Sequence, residues 1–238
     1  ATACGGIASV VKLYAADGLF ERRDIVYLPT HCSGRAGEKI ALFVSAMRRL
    51  IWMILARQVH LVHVHIAINT SFWRKYSFLL VLFMFRVPSV LHVHAGRLPE
   101  YYQEQCGPAA RALIRFALAH VDRVIAVSAE LNRWICQRTG KSNVVTIGNP
   151  ASIQPIPHPC LRGQPGLLFL GHVEQCKGAF DLIRAMPEIL SACPDATLRI
   201  CGDGHLDEAR ALARSLGLGK RVQVLGWVDQ RSRERLLR

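Results

Sequence analysis

Short runs of aliphatic and β-branched residues alternate along the chain with longer stretches of helical periodicity. The runs are four or five residues long and mostly lack alternating polar residues, which is typical of strands buried on both faces of a parallel sheet. Strand–helix alternation of this kind predicts an α/β, doubly wound fold. The predicted strands are Ile25–Leu28, Leu61–His65, Val90–His94, Val124–Val127, Val144–Ile147, Leu167–Leu170, Leu198–Cys201 and Val222–Leu225.

Helix signals lie in the segments between these strands. Pro108 precedes one helix start, Ser128 can cap another, and Pro88 stops a third. The predicted helices are Ile7–Phe20, Lys39–Arg57, Ser71–Phe85, Ala109–Ala119, Ala129–Arg138, Phe180–Ser191, Asp207–Leu216 and Arg231–Leu237.

Five prolines between Gly148 and Gly166 interrupt the alternation, and they favour an extended connector. The strand–helix pattern restarts after it. We therefore predict two Rossmann-like, doubly wound domains, residues 1–150 and 166–238, joined by a proline-rich linker at 151–165. The second domain has three predicted strands and its pattern stops within a helix, so we expect it to be incomplete.

The 238 residues are 51% hydrophobic, which excludes a disordered chain, and carry a net charge of +13. Between Arg35 and Arg97 there are nine Lys/Arg residues and one acidic residue, Glu38. Basic and apolar residues mixed on helices fit a solvated helix face or an anionic membrane surface, and we expect no nucleic acid partner. No uncharged apolar stretch is long enough to cross a lipid bilayer as a helix.

The eight cysteines include no C-x-x-C pair, and their spacing does not indicate the disulfide framework of a short secreted protein. Reduced thiols are therefore expected. They fit a cytoplasmic protein that is peripheral at the inner face of the membrane.

Histidines and glycines occupy several predicted strand ends and helix starts, where open α/β sheets bind ligands. Gly5 and Gly6 open the first helix and could bring backbone N–H groups to an anion, although a plain turn fits equally. His63 and His65 form one H-x-H pair, and His92 and His94 form another.

Four imidazoles could bind zinc, but no cysteine or carboxylate completes the set. We therefore predict that His94 contacts a ligand and that His63 and His92 are satisfied core residues.

The second half carries the strongest local pattern. A predicted strand runs into Gly171 and His172, and Lys177-Gly178 opens the next helix. A lysine cation and helix-start N–H groups at one strand end suit a pyrophosphate. Gly202 and Gly204 end the following strand, and a tight turn is their alternative interpretation.

Taken together, these segments resemble family 4 glycosyltransferases, which have the two-domain GT-B fold. The resemblance covers nearly the whole chain in order. The segments that carry it are GGIA at 5–8, LVHVH at 61–65, VLHVHAG at 90–96, VDRVIAVSAE at 121–130, GNPAS at 148–152, FLGHVEQCKG at 169–178, PDATLRICGDG at 194–204 and VQVLGWVD at 222–229.

The resemblance implies transfer of a sugar from a nucleotide-sugar donor to a glycan or lipid-linked acceptor, with retention at the anomeric carbon and without a metal or other cofactor. It implies that the Gly5-Gly6 loop lies against the donor phosphates or the acceptor. It also implies that His94 bonds the transferred sugar and that Lys177 holds the leaving diphosphate. The other implied donor contacts are Gly171, His172, Gly178, Gly202 and Gly204. Cell-envelope or exopolysaccharide assembly is the expected setting.

Three departures from the family pattern are visible. His172 stands where the family commonly has arginine, the E-x7-E pair is absent and is expected beyond residue 238, and no strand precedes the glycine loop. We accordingly expect the 238-residue chain to be inactive alone.

Two alternatives remain open. One is a non-catalytic module that binds membrane surfaces through the basic helices. The other is a nicotinamide-dependent enzyme built on Gly202-x-Gly204, which the absence of a third glycine disfavours.

Overall fold

The computed structural model describes residues 6–32, 34–150 and 166–237. The chain divides into two compact units, Ala1–Ser152 (unit 1) and Ile153–Arg238 (unit 2). Each unit is built on a parallel sheet with helices packed against it, so the predicted α/β class is confirmed. The predicted linker at 151–165 lies outside the described residues.

Unit 1 contains four strands in the order β1-β2-β3-β4, all parallel. Parallel neighbours require a crossover, which the helices between successive strands provide. The strands are β1 (Val62–Ile66), β2 (Ser89–Val93), β3 (Arg123–Ala126) and β4 (Val144–Thr146). The helices are α1 (Gly6–Ala16), α2 (Leu19–Arg22), α3 (Ala36–Leu55), α4 (Thr70–Met84), α5 (Leu98–Glu100), α6 (Pro108–His120) and α7 (Ala129–Thr139), with a π turn at Tyr101–Gln105.

The two faces of this sheet differ in chemistry. Alternate strand residues point to opposite faces, and residues paired in a parallel register share a face. One face is largely aliphatic and belongs to the core of unit 1; its core members are Val64, Ile66, Leu91, Val93, Val124 and Ala126. The other face carries His63, His65 and His92, because His65 pairs with His92 in the register.

Helix α4 shows how unit 1 is packed. Its buried residues Phe72, Tyr76 and Leu79 recur at helical spacing and join the same core as the aliphatic face of the sheet. Arg74 and Lys75 lie between them on the same helix and are only partly buried. The orientation of α4 therefore decides where these two cations point.

The first 30 residues differ from the prediction. The predicted helix at Ile7–Phe20 is broken at Gly18, whose backbone has a φ of 69°. The predicted strand at Ile25–Leu28 is wrong, because these residues lie in no strand or helix. Ile25, Val26 and Tyr27 are each more than 40% exposed, so β-branched composition alone did not give the segment a pairing partner.

Unit 2 has a parallel sheet in the order β5-β6-β7. Its core combines Ile183 and Met186 of the first helix with Leu198 and Ile200 of the central strand. The strands are β5 (Gly166–Leu170), β6 (Thr197–Cys201) and β7 (Val222–Gly226), and the helices are α8 (Ala179–Ala192), α9 (Leu206–Ser215) and α10 (Gln230–Leu236), with a 3₁₀ turn at Gln175–Lys177.

Among the helices described, none has both the length and the apolar character needed to cross a bilayer. Of the cysteines that the structure describes, Cys106 and Cys201 are buried.

Candidate active site

In unit 1, His94 is held at the carboxyl end of the sheet by three hydrogen bonds. Its backbone N–H donates to the Ile66 carbonyl at 2.8 Å. Its ring Nδ1 lies 2.8 Å from Asn149 Oδ1, and its Nε2 lies 2.8 Å from His65 Nδ1. The prediction that His94 lies at a strand end is confirmed by its position directly after β2.

The order of protons along this chain of groups follows from Asn149. An amide oxygen only accepts, so His94 Nδ1 donates to it. A neutral His94 then accepts at Nε2 from the Nδ1–H of His65. Burial lowers the pKa of His94, and burial together with the neighbouring imidazoles lowers the pKa of His65 to about 2, so both rings are neutral near pH 7. Both ring nitrogens of His94 are thus engaged in hydrogen bonds. One of these hydrogen bonds must break before the ring can bond to a sugar.

The role predicted for His63 is wrong, and that for His92 is confirmed only in its burial. His63 is exposed rather than in the core, and its ring stacks on His65 at a centroid distance of 4.3 Å. His92 is 1% exposed, but neither ring nitrogen makes a well-formed hydrogen bond. The Ile147 backbone lies near enough to raise the pKa of His92, yet burial prevails and lowers that pKa to about 3.

A cavity of about 960 Å³ opens beside His94 within unit 1. Gly6, at the start of α1, lines it, as do Asn149 and residues of α3 and α4. Its cationic side chains are Lys39, Arg74 and Lys75, and its aromatic ones are Tyr27, Phe43 and Trp73. No acidic residue of the described chain lines this cavity, which we call the basic cavity. Gly5, the other predicted loop glycine, lies outside the described residues.

Two of these cations are partly desolvated. Burial, and secondarily the charge of Arg74, lowers the pKa of Lys75 to about 8, and its amine donates to the His65 carbonyl at 3.4 Å. Burial also lowers the pKa of Arg74, whose Nε is buried without a hydrogen-bond partner. A buried donor with no acceptor is rare in folded proteins, and an anionic ligand would satisfy it.

In unit 2, two strand-end connections are locked together by their backbones. The Val173 N–H donates to the Asp203 carbonyl at 2.7 Å, and the His205 N–H donates to the Val173 carbonyl at 2.9 Å. A Cβ on Gly202 would lie 1.7 Å from the Gly171 oxygen, so only glycine fits there. We call residues 171–174 and 202–205 the paired loops.

The paired loops bring most of the predicted donor contacts together. His172 Nδ1 lies 2.8 Å from Asp203 Oδ1, and the hydrogen bond from His172 lowers the pKa of that carboxyl group. The backbone of Gly204 lies close to the His172 ring, and the backbone of Gly171 lies close to that of Gly202. Lys177 follows on the same connection, and Gly178 continues it with a φ of 79°, acting as the N-cap residue of α8.

Comparison with known families identifies the chain. The profile of Glycosyltransferase Family 4 matches residues 8–154, which is more than half of the chain. The chain belongs to glycosyltransferase family 4. A second profile, Glycosyl transferases group 1, matches residues 164–238.

Relatives of this family chain are recognisable by sequence. A phosphatidyl-myo-inositol mannosyltransferase of Mycolicibacterium smegmatis is 32% identical over 120 residues, which is 48% of this chain and 30% of that protein. A glycogen synthase of Mycobacterium tuberculosis is 28% identical over 137 residues, covering 52% of this chain and 33% of that protein. The matched parts of the chain thus span about a third of these curated relatives.

Solved structures share the fold. Anabaena HepE in complex with UDP and glucose has a TM-score of 0.55 at 18% identity, covering 89% of this chain and 59% of that one. The Staphylococcus aureus MnaA–UDP structure has a TM-score of 0.53 at 17% identity, covering 92% and 60%. The GT-B type of fold implied by the resemblance is confirmed.

Sequence reasoning missed the basic cavity of this family 4 chain. Lys39, Arg74 and Lys75 were grouped with the other basic residues as a surface face, whereas they line the cavity. In the sequence, Asn149 stands out only as part of the GNPAS segment, although it orients His94. The sequence does contain a signal for this cavity: Arg74 and Lys75 are adjacent inside the aromatic run SFWRKYSF. Charged residues are seldom placed in a buried helix without a partner.

Proposed function

We propose that the chain is part of a retaining glycosyltransferase that moves a sugar from a nucleotide-sugar donor to a glycan or lipid-linked acceptor in cell-envelope or exopolysaccharide assembly. Family membership supports the reaction class. The structural neighbours crystallised with UDP support a nucleotide-sugar donor. The proposed location is the cytoplasmic face of the membrane.

The basic cavity is the observation that carries the acceptor part of this proposal. Three cations line a space without acidic residues of the described chain, and the Nε of one of them, Arg74, is buried without a partner. A phosphate group would satisfy the Arg74 donor and offset the charge of Lys75. Lipid-linked sugar acceptors carry such phosphates, and the aromatic residues of the cavity suit the apolar face of a sugar ring.

The donor diphosphate is assigned to unit 2. Negative charge builds up on the leaving diphosphate as the glycosidic bond breaks, and a fixed cation stabilises it more in the transition state than in the ground state. Lys177 provides that cation, and the N-terminus of α8, which begins directly after Gly178, provides backbone N–H groups. In this proposal protein cations and amides neutralise the diphosphate, and no metal takes part in the transfer.

Calorimetric titration of the 238-residue chain with UDP, GDP and NAD tests the donor assignment. Binding of one nucleoside diphosphate is expected, and Lys177→Ala should weaken it about ten- to hundredfold, the value of one charge-assisted hydrogen bond. Lys220→Ala removes an exposed lysine of the same unit and should leave binding unchanged. Equal loss in both variants, or NAD binding alone, would overturn the assignment.

A membrane-surface role is the second candidate, and helix α3 favours it. Ile40, Val44, Arg48 and Trp52 recur every four residues along this helix, and Ile40 and Trp52 are 63% and 60% exposed. Exposed aliphatic, aromatic and basic side chains in one stripe match a helix that lies on anionic lipid.

Sedimentation with phosphatidylserine vesicles separates this candidate from a purely soluble role. Arg48→Gln with Arg49→Gln should weaken vesicle binding about thirtyfold, at about 1 kcal/mol per cation. The control pair Arg214→Gln with Arg231→Gln removes the same charge from unit 2. Salt-insensitive binding, or an equal effect of both pairs, would remove the membrane role.

A further inference from the structure

Three imidazoles converge on one face of the unit 1 sheet. One nitrogen from each of His63, His65 and His92 lies within 4.8 Å of the other two. The geometry follows from the strands: His63 and His65 are two residues apart on β1, and His92 pairs with His65 on β2. We propose that this histidine cluster is a binding site for a divalent transition metal such as Zn²⁺. The proposal replaces the expectation that the chain binds no metal.

His92 supplies an independent reason to expect a ligand. His92 is only 1% exposed, and neither of its ring nitrogens makes a well-formed hydrogen bond. Leaving such a group unpaired costs on the order of 1–3 kcal/mol, so native structures seldom retain one without a function or a missing ligand. A metal ion bound by the lone pair of one nitrogen would satisfy that atom, and the Ile147 backbone lies near the ring for the other.

The tautomer of His65 is already set for coordination. Asn149 accepts from His94, and His94 accepts from the Nδ1–H of His65, which leaves the lone pair on His65 Nε2. Metal-bound histidines usually donate their other nitrogen in this way, which fixes the ring orientation. His94 therefore acts here as a positioning residue.

The distances allow closure around an ion. Zn–N bonds of about 2.0–2.1 Å place tetrahedral ligand atoms about 3.4 Å apart, so nitrogens that lie within 4.8 Å of one another need to approach by up to about 1.4 Å. The His63 side chain is on the exposed side of the cluster, which gives an ion access. Three protein ligands leave a fourth position for water.

Neighbouring charges limit the affinity. No carboxylate or thiolate of the described residues joins the cluster, and the Lys75 amine lies at the His65 carbonyl. A site of three neutral ligands near a lysine should bind more weakly than a closed zinc site with thiolate ligands.

The test uses the untagged 238-residue chain after removal of metal by a chelator. Zn²⁺ is titrated by calorimetry, and Co²⁺ is followed by its visible absorption, which is intense in tetrahedral sites. One equivalent is expected to bind, with the tetrahedral Co²⁺ spectrum. His63→Gln, at an exposed position, should weaken binding at least tenfold, and His94→Gln should weaken it about ten- to a hundredfold as a loss of the orienting partner.

His60→Gln is the matched control, because His60 is exposed and lies three residues before His63. Thermal unfolding provides a second readout: Zn²⁺ should raise the Tm of the wild type and of His60→Gln, but not that of His63→Gln. Absence of binding, or equal binding by the His60 and His63 variants, would overturn the site. Because no step involves sugar transfer, this test is independent of the proposed function.

Discussion

The two units of the chain build their strand-end sites in opposite ways. In unit 1 the site consists of side chains: imidazoles joined through His94 and Asn149, and the cations Arg74 and Lys75 beside them. In unit 2 it consists of backbone, because glycine contacts and peptide hydrogen bonds hold the paired loops. The difference predicts that glycine substitutions in the paired loops act on stability, and that loss of the Arg74 cation acts on ligand binding.

The largest effect is expected at Gly202. In Gly202→Ala the new Cβ would lie 1.7 Å from the Gly171 oxygen on a backbone with φ of 157°, so the paired loops must separate. We expect a loss of about 3 kcal/mol or more in the free energy of unfolding, measured by urea titration. Gly219→Ala, which meets open space, should change stability by less than about 0.5 kcal/mol. Equal stability of both variants would end the contrast between the units.

Arg74→Ala should show the complementary behaviour in unit 1. In a Lys177→Ala background, which removes the diphosphate site proposed in unit 2, loss of the Arg74 cation is expected to weaken pyrophosphate binding about ten- to hundredfold, corresponding to about 1.5–3 kcal/mol for a charged hydrogen bond. Calorimetry measures this, with Arg115→Ala of the exposed surface of α6 as the control. If both variants bind pyrophosphate alike, the basic cavity does not recognise phosphate.

Lys75 adds a pH dependence to unit 1. Its pKa of about 8 lies below the usual 10.5, so the unfolded chain retains this proton where the folded chain has released it. Stability attributable to Lys75 should therefore rise with pH from 8 to about 9.5, by at most about 1.4 kcal/mol per pH unit. The difference between wild type and Lys75→Met in urea unfolding at each pH isolates this contribution. A flat difference would show that the amine is not desolvated.

The smallest effect is expected at Asp203, next to the most sensitive glycine. Its carboxylate pairs with His172 at an exposed position, and exposed pairs contribute about 0.2–1 kcal/mol. Asp203→Ala keeps the backbone carbonyl that accepts from Val173, so urea unfolding should show a loss below about 1 kcal/mol. A loss as large as that of Gly202→Ala would mean that side chains, and not backbone, hold the paired loops.

The sequence was sufficient to predict the elements that are both apolar and paired. Leu167–Leu170 and Leu198–Cys201 each begin one residue after the observed strand start, because an aliphatic run bounded by turn residues leaves little choice. Ile25–Leu28 has the same composition but lies in no strand, and composition cannot show whether a neighbouring strand is available.

The candidate site was predictable where glycine and histidine mark a strand end, as at His94 and Gly202. The basic cavity was not, because the direction of Arg74 and Lys75 depends on how α4 packs against the sheet. Likewise the lack of partners for His92 depends on what surrounds its ring in three dimensions. Such facts concern distances between segments far apart in sequence, which a local pattern does not contain.

The reciprocal bonds of Val173 with Asp203 and His205 restrict how this part of the protein can change its length. Surface loops usually tolerate insertions, since few contacts depend on their register. Here one added residue in either connection would shift Val173 out of alignment with Asp203 and His205, so we expect length changes to occur in both connections together or in neither. Loop grafting into or out of this unit must therefore transfer the two segments as a pair.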